Sequence, residues 1–575
     1  MLIWILFLLY LPQLSVALRP TRHETRRNTP DIQFWNRIAQ VHIDRKLLLN
    51  PHLIGVTPPK NVIVFVGDGM GIATVTSARI NKNQRAGRHY LNEPLYFESF
   101  QSAGLVKVNT GTLGMKPIVK EKCTNVSELH ITDGIVEGAL QKGMGVGFVT
   151  TTRITHATPA ALYAKGVDRN HEFDDATLKA EVKCTHDIAK QLLSYPASEF
   201  KVMMGGGSGY LMDKSRNGSR SDGLNVDLKW QKLSDNRRVL RNMLEFDEVS
   251  AAANEKLLGI FSPSHLPYYL DELLAGAKTV PLLWEMTSKA IEQLQNEQNG
   301  YFLMIEGGMI DIAEHENMMH VAFKEVYDFE EAIRRAREMT DVNETLIIVT
   351  ADHGHALTLP GYLDSDETIF ESQFTQVEQR ERQKQTESWV PAMFFATGPG
   401  YDSFTGHDDD IDEPHYRQPS AILTKFGFHG GEDVGIWADG PFSELFSTSL
   451  ENTEVAYIIK FLLCVGSTNH TICDLKKATG ATHAATTDST GVSERDMLQS
   501  FWWNGVIVVI VVLLVISSLS LLAVIVLVML LCVQNKSKAN YAKPRHIRQL
   551  ANGATYPAIS KSLSERVTIS PLSNR

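Results

Sequence analysis

The sequence predicts an α/β fold: a doubly wound, mostly parallel sheet with helices on both faces, a small crown-like insertion and one C-terminal transmembrane helix. Three observations predict it. Short β-branched runs recur without strict alternation, helical patterns separate them, and a long uncharged apolar run stands near the C-terminus.

The runs are Val62–Val66, Val146–Thr150, Lys201–Met204, Tyr301–Ile305, Leu346–Thr350, Ala392–Ala396 and Val434–Trp437. Strands without polar alternation are buried on both faces. His186–Leu193, Leu283–Leu294 and Val321–Met339 carry helical periodicity between them. Strand–helix alternation points to a parallel sheet covered by helices. The 575 residues are 43% hydrophobic and 21% charged, enough for one large core with insertions or for two domains. The net charge of −10 gives no cue for nucleic acid, and none is expected as a partner. It also leaves anion binding to local metals or arginine.

Residues 1–17 are almost wholly apolar and close in Ser15-Val16-Ala17, which reads as a signal peptide, with a signal anchor as the alternative. Residues 18–60 read as an N-terminal arm. Phe34-Trp35 and the amphipathic pattern through Leu49 suit an interface helix or a self-contained surface helix. The main domain is expected over 61–474, with the insertion at about 357–425 and a Thr/Ser-rich stalk over 475–504. Residues 505–533 form the expected span, since the apolar run Val506–Val533 exceeds the roughly 20 residues a bilayer needs. Trp502 and Trp503 stand at its outer edge. Lys536, Lys538, Lys543, Arg545 and Arg548 follow in the tail 534–575. By the positive-inside rule that tail is cytoplasmic, giving a single-pass type I protein of the plasma membrane with its main domain outside. A lipid anchor is the alternative reading, although the chain runs on past the apolar stretch.

Five cysteines are present. Chain order suggests Cys464–Cys473 as a short disulfide loop and Cys123–Cys184 as a longer one, with connectivity left open by sequence. Cys532 lies at the inner end of the expected span. Asn125, Asn217, Asn343 and Asn469 are glycosylation acceptors by pattern.

In parallel sheets ligands bind beyond the C-terminal strand ends. Here those ends are loaded. Val66 leads into Gly67-Asp68-Gly69, Val149 into Thr150-Thr151-Thr152-Arg153, Ile305 into Glu306-Gly307-Gly308, and Val349 into Thr350-Ala351-Asp352-His353. Divalent metals take carboxylates, and zinc also takes histidine. The rim offers Asp68, Glu306, Asp311, His315, Asp352, His353 and His429. Asp311 and His315 are four apart, on one face of a helix. Singly, Asp68 passes as a turn residue, Asp311 and His315 as a solvated helix face, and His353 and His429 as loop histidines. Their joint placement at strand ends carries the metal reading.

These segments resemble the alkaline phosphatase family. The quoted motifs are Val66-Gly67-Asp68-Gly69-Met70-Gly71, Thr150–Arg153 with His156-Ala157-Thr158-Pro159-Ala160, Glu306–Asp311 with His315, Thr350–His355, and His429-Gly430-Gly431-Glu432-Asp433. They run in family order from about Phe34 to Asp474. The resemblance implies a dimeric enzyme that hydrolyses phosphomonoesters through a phosphoserine. It implies one zinc ion on Asp311, His315 and His429 and a second on Asp68, Asp352 and His353. Magnesium would take Asp68, His156, Thr158 and Glu306, and Arg153 would grip two phosphate oxygens. It implies the cysteine pairs 123–184 and 464–473. Ser262 stands where a calcium-site glutamate is expected, which counts against calcium.

The nucleophile segment departs from the family. One alignment sets Gln101-Ser102-Ala103-Gly104 at the nucleophile turn and makes Ser102 the nucleophile. The other sets Gly104-Leu105-Val106 in the preceding strand and Lys107–Gly114 after the turn, so that the serine itself is missing and Ser102 is a strand residue. The second fits both flanks better. A catalytically impaired phosphate- or partner-binding ectodomain is therefore the alternative function.

Overall fold

Ten short, mostly apolar segments pair into one sheet at the centre of the molecule. The computed structural model describes residues 32–466, apart from 54, 89–91, 109–133, 166–168, 175–185, 251–253, 361–367, 371, 380–383 and 404–410. The strands are β1 (Asn61–Gly67), β2 (Ser102–Lys107), β3 (Gly145–Arg153), β4 (Val202–Gly206), β5 (Arg237–Leu240), β6 (Lys256–Ile260), β7 (Tyr301–Gly307), β8 (Thr345–Thr350), β9 (Val434–Asp439) and β10 (Thr448–Glu451). Their order is β10-β2-β9-β8-β1-β7-β3-β4-β6-β5. Only β9 runs against its neighbours, so the sheet is mixed but mostly parallel. From β1 the chain winds outward in both directions, to β2 on one side and to β3 through β6 on the other.

β7 and β8 are buried at every residue, and β3 at all but its last. Successive strand residues point to opposite faces, so both faces are covered. The helices that position the site or pack on the sheet are α1 (Ile32–Leu49), α2 (Ile72–Arg85), α3 (Ala157–Tyr163), α4 (Leu283–Leu294), α5 (Met309–His315), α6 (Met319–Glu338) and α7 (Asn452–Leu463). α6 buries Ala322, Val326, Phe329, Ile333 and Ala336 at helical spacing, and Phe329 meets Phe65 of β1 edge to face at 5.7 Å. α1 buries Ala39, Ile43 and Lys46 at i, i+4 and i+7, and packs on α7. Its Lys46 Nζ donates to Ser447 Oγ at 2.5 Å.

Two sequence expectations shift. The run at Ala392–Ala396 becomes Phe394–Gly398, a strand outside the main sheet. It pairs with Leu357–Thr358 and Ser420–Leu423, and a separate hairpin joins Ser372–Gln379 to Lys384–Pro391. The helix expected over His186–Leu193 covers only Ile188–Gln191, capped by Asp187 accepting from Lys190 N. Cys464 is disulfide-bonded. Asn217 and Asn343 are exposed on turns. The expected signal peptide, stalk, span and tail lie outside the described residues, as do Cys123, Cys184, Cys473, Asn125 and Asn469. Among the described residues no helix is long and apolar enough to cross a membrane.

Candidate metal centre

Register across the sheet builds the site. Val66 of β1 pairs with Thr350 of β8 and Glu306 of β7, and Glu306 pairs with Thr150 of β3. Four adjacent strands therefore end at one level. The residues that follow (Asp68, Asp352, Gly307-Gly308 and Thr151–Arg153) meet at one rim. Gly69 holds φ +75°, and a Cβ there would lie 2.9 Å from the Asp311 Cα and from His355 Cδ2. Only glycine lets the β1 turn come this close to α5.

Three contiguous groups of donors result. Asp68, Asp352 and His353 place one ligand atom each within 4.8 Å of one another, as do Asp68, His156 and Glu306, and Asp311, His353, His355 and His429. His353 Nε2 lies 3.5 Å from Asp68 Oδ1 and 3.3 Å from Asp352 Oδ2. His315 joins the last group, with its Nε2 3.3 Å from Asp311 Oδ2 and 3.1 Å from His429 Nε2. Its other nitrogen, Nδ1, faces the Gly427 carbonyl at 2.6 Å, which fixes the ring. Glu306 is wholly buried. Its Oε2 accepts from Thr150 Oγ1 at 2.5 Å and Thr152 Oγ1 at 3.1 Å, and Thr158 hydrogen-bonds it as well.

Charge is uncompensated here. Burial, then the carboxylates of Asp352, Asp311 and Glu306, push the Asp68 carboxyl well above its usual range. Burial raises Glu306 to about 7. Burial works against the charge of Asp311 too, but hydrogen bonds from His315 and His355 hold it below its ordinary value. Burial and then the Arg169 charge depress His156 to about 3, while burial and the neighbouring His353 depress His429 to about 4. These two imidazoles are thus neutral, as metal ligands must be. Asp68 Oδ1, Glu306 Oε1, His156 Nδ1 and His355 Nδ1 are buried without any hydrogen-bond partner. Orphaned buried oxygens of ionisable acids are costly, and a divalent cation relieves that cost. The donor set fits divalent cations with mixed oxygen and nitrogen preference.

His355 is a further member that the sequence reading quoted in its motif but did not assign. Its Nε2 sits 2.6 Å from Asp311 Oδ1. The signal was its place two residues after His353 on the same strand exit.

The two residues offered as catalytic, Arg153 and Ser102, both stand apart from the three donor groups. The Arg153 guanidinium is engaged by neighbouring side chains. Its Nε and Nη2 donate to the Glu172 carboxylate at 2.9 and 2.7 Å, and its Nη1 lies 2.6 Å from His265 Nε2. Arg169 stands instead at the rim, exposed, with Nη2 3.2 Å from His156 Nε2. Among the described residues it has no carboxylate partner. Sequence reasoning passed over it because it follows the Thr150–Ala160 motif rather than lying within it.

Ser102 opens β2 at the end opposite the rim. β2 runs parallel to β8, because both are antiparallel to β9, and Ser102 pairs with Ala438, which pairs with Ile348 inside β8. Its Oγ lies 3.5 Å from Ser443 Oγ. It is a buried strand residue and meets none of the three groups.

A model of the alkaline phosphatase family matches residues 59–113 and 102–465, two pieces that overlap across the β2 segment. The tissue-nonspecific alkaline phosphatase of Felis catus is 32% identical over 480 residues, covering 76% of this chain and 89% of its own. A membrane-bound alkaline phosphatase of Bombyx mori is 31% identical over 492 residues, covering 76% and 86%. Among solved structures, Thermus thermophilus alkaline phosphatase overlays with a TM-score of 0.49 and 21% identity, covering 73% of this chain and 96% of that one.

Proposed function

This chain belongs to the alkaline phosphatase family of phosphomonoester hydrolases, and on that premise we propose that its rim is a phosphomonoesterase centre with two zinc ions and one magnesium ion. The observation that carries the reading is the run of three contiguous donor groups whose buried acids keep orphaned oxygens. Asp311, His315 and His429 suit one zinc, backed by His355. Asp68, Asp352 and His353 suit the second, and Asp68, His156, Thr158 and Glu306 suit magnesium. When bound, such cations stabilise the attacking and leaving oxygens of an in-line displacement.

The chain's own groups do the rest. Arg169 donates its guanidinium N–H groups to the phosphate oxygens, a bidentate fit. Arg153 is a positioning residue: with Thr155 it satisfies the Glu172 carboxylate beneath the site. Thr150, Thr152 and Thr158 leave only Glu306 Oε1 free to face the cation. No calcium is proposed, because Ser262 Oγ is spent on the His265 carbonyl at 2.8 Å. The reading extends to an extracellular domain tethered by residues 505–533 at the plasma membrane, supported by the membrane-bound relative. A homodimer, the disulfides 123–184 and 464–473, and sugars on the four acceptor asparagines complete it.

A phosphoserine route needs a serine at the rim, and Ser102 is not there. The family match breaks into two pieces overlapping at 102–113, where the nucleophile segment is expected. This favours a second reading, a phosphate-binding ectodomain with impaired catalysis. Phosphomonoester turnover at alkaline pH by the full chain loaded with zinc and magnesium decides between them, with bound cations and orthophosphate affinity measured beside it. Turnover that falls in Glu306→Gln supports the enzyme. Cations and orthophosphate bound without turnover support the second reading. A chain that binds no divalent cation sinks both.

A further inference from the structure

Two large aromatic side chains stand in water at the edge of the rim. Phe426 is 46% exposed and Phe428 52%. Neither is loose. Between them, Gly427 N–H donates to the His315 carbonyl at 2.7 Å, and the Gly427 carbonyl lies 2.6 Å from His315 Nδ1. Phe428 N–H donates to Thr397 Oγ1 at 3.0 Å, and the Phe428 carbonyl accepts from Ala356 N–H at 3.1 Å. The Phe426 carbonyl accepts from Thr424 Oγ1 at 2.8 Å. The segment is therefore pinned to the helix that carries His315 and to the strand exit that carries His355.

The Phe426 ring touches the site, and the Phe428 ring stands beside it. Phe426 meets the His315 imidazole edge to face, with centroids 5.6 Å apart, and Phe428 at 6.5 Å from Phe426 directly precedes His429. The inner side of the three donor groups is closed by buried strand ends. His429 is the most exposed of the donor side chains, at 42%, so the organic part of a phosphate ester leads outward past it, beside these rings. An aromatic ring on a pinned backbone has only two side-chain torsions left to fix, so it loses little entropy on receiving an apolar group.

We propose that Phe426 and Phe428 form an aromatic wall that selects phosphate monoesters whose alcohol portion is an aryl group. The inference rests on the rim being a phosphomonoester site. Two non-hydrolysable probes of equal charge test it on the full chain loaded with zinc and magnesium, phenylphosphonate and methylphosphonate, with Kd measured by calorimetry and orthophosphate run in parallel. Phenylphosphonate is expected to bind about tenfold more tightly than methylphosphonate. Phe426→Ala and Phe428→Ala should each bring that ratio to about threefold or less, and Phe428→Leu should fall between. Ile422→Ala, exposed on the neighbouring strand, should leave it unchanged. A ratio near one in the parent chain, or a tenfold ratio surviving both alanine variants, overturns the wall while orthophosphate binding keeps the phosphate reading standing. Failure to bind orthophosphate overturns both.

Discussion

Two regions of this molecule bury acids to the same depth and use them differently. On α6, Glu325, Asp328 and Glu330 are 5, 5 and 6% exposed; at the rim, Asp68 and Glu306 are 4 and 0% exposed. Burial raises Glu325 to about 8 and Asp328 to about 7, much as it raises Glu306 to about 7. Depth does not separate the two sets, nor does proton affinity separate Glu325 and Asp328 from Glu306. Partners do. Glu325 accepts from Tyr269 N–H at 2.7 Å, and Asp328 from the N–H groups of Leu283 and Trp284 at 3.0 and 3.4 Å. Glu330 takes Lys82 Nζ at 2.6 Å and Tyr96 N–H at 2.7 Å. The α6 acids tie separate elements together. The rim acids crowd one another and leave oxygens without donors. A buried acid whose oxygens meet donors is framework, and a group of acids that keeps oxygens without donors is a cation site.

The largest effects should test that distinction at the rim. Stripping divalent cations with a chelator should lower the melting temperature of the chain by several degrees, since a ligand that binds only the folded state stabilises it. Glu306→Gln should weaken binding of one cation by at least about tenfold, read by metal analysis after dialysis. If neither moves, the orphaned oxygens are framework after all.

The two arginines sharpen the comparison next. Arg153→Ala strands the buried Glu172 carboxylate and should cost about 3–5 kcal/mol in denaturant unfolding. Arg169→Ala should leave stability nearly unaltered and weaken orthophosphate binding by about tenfold or more. An exchange of these two outcomes would restore Arg153 as the phosphate grip.

A smaller effect tests α6 through pH. The folded Glu325 carboxyl sits at about 8 against an ordinary 4.5, raised by burial and then by Asp328 and Asp271. Its contribution is fully present below about 4.5 and is lost as pH rises through 8. Glu325→Gln keeps the acceptor for Tyr269 and removes the charge. Its melting temperature should fall less than that of the parent between pH 5 and 9. The smallest effect is expected for Asp328→Ala, which uncaps the first turn of α4 at about 1 kcal/mol.

Much of the site is legible before folding because its members sit beside their strand exits in the chain. Asp68, Glu306, Asp352 and His353 each follow a run of Val, Ile or Leu by one to four positions, and the pair Asp311–His315 declares its shared face by spacing alone. His355 was legible too, two residues past His353, yet spacing gave it no role. Arg169 was not, because nothing local separates a free guanidinium from a committed one.

The sequence by itself determined the strand exits, the donor types at them and the helical face of α5, because these depend on neighbours within a few residues. Only the tertiary structure decided which exits share a level, that Glu172 nineteen positions on engages Arg153, that Ala392–Ala396 falls outside the main sheet, and that Ser102 opens its strand at the end away from the rim. Those outcomes depend on pairing between segments distant in the chain. β9 enters last among the inner strands and sets the direction of β2, and no local preference encodes that order.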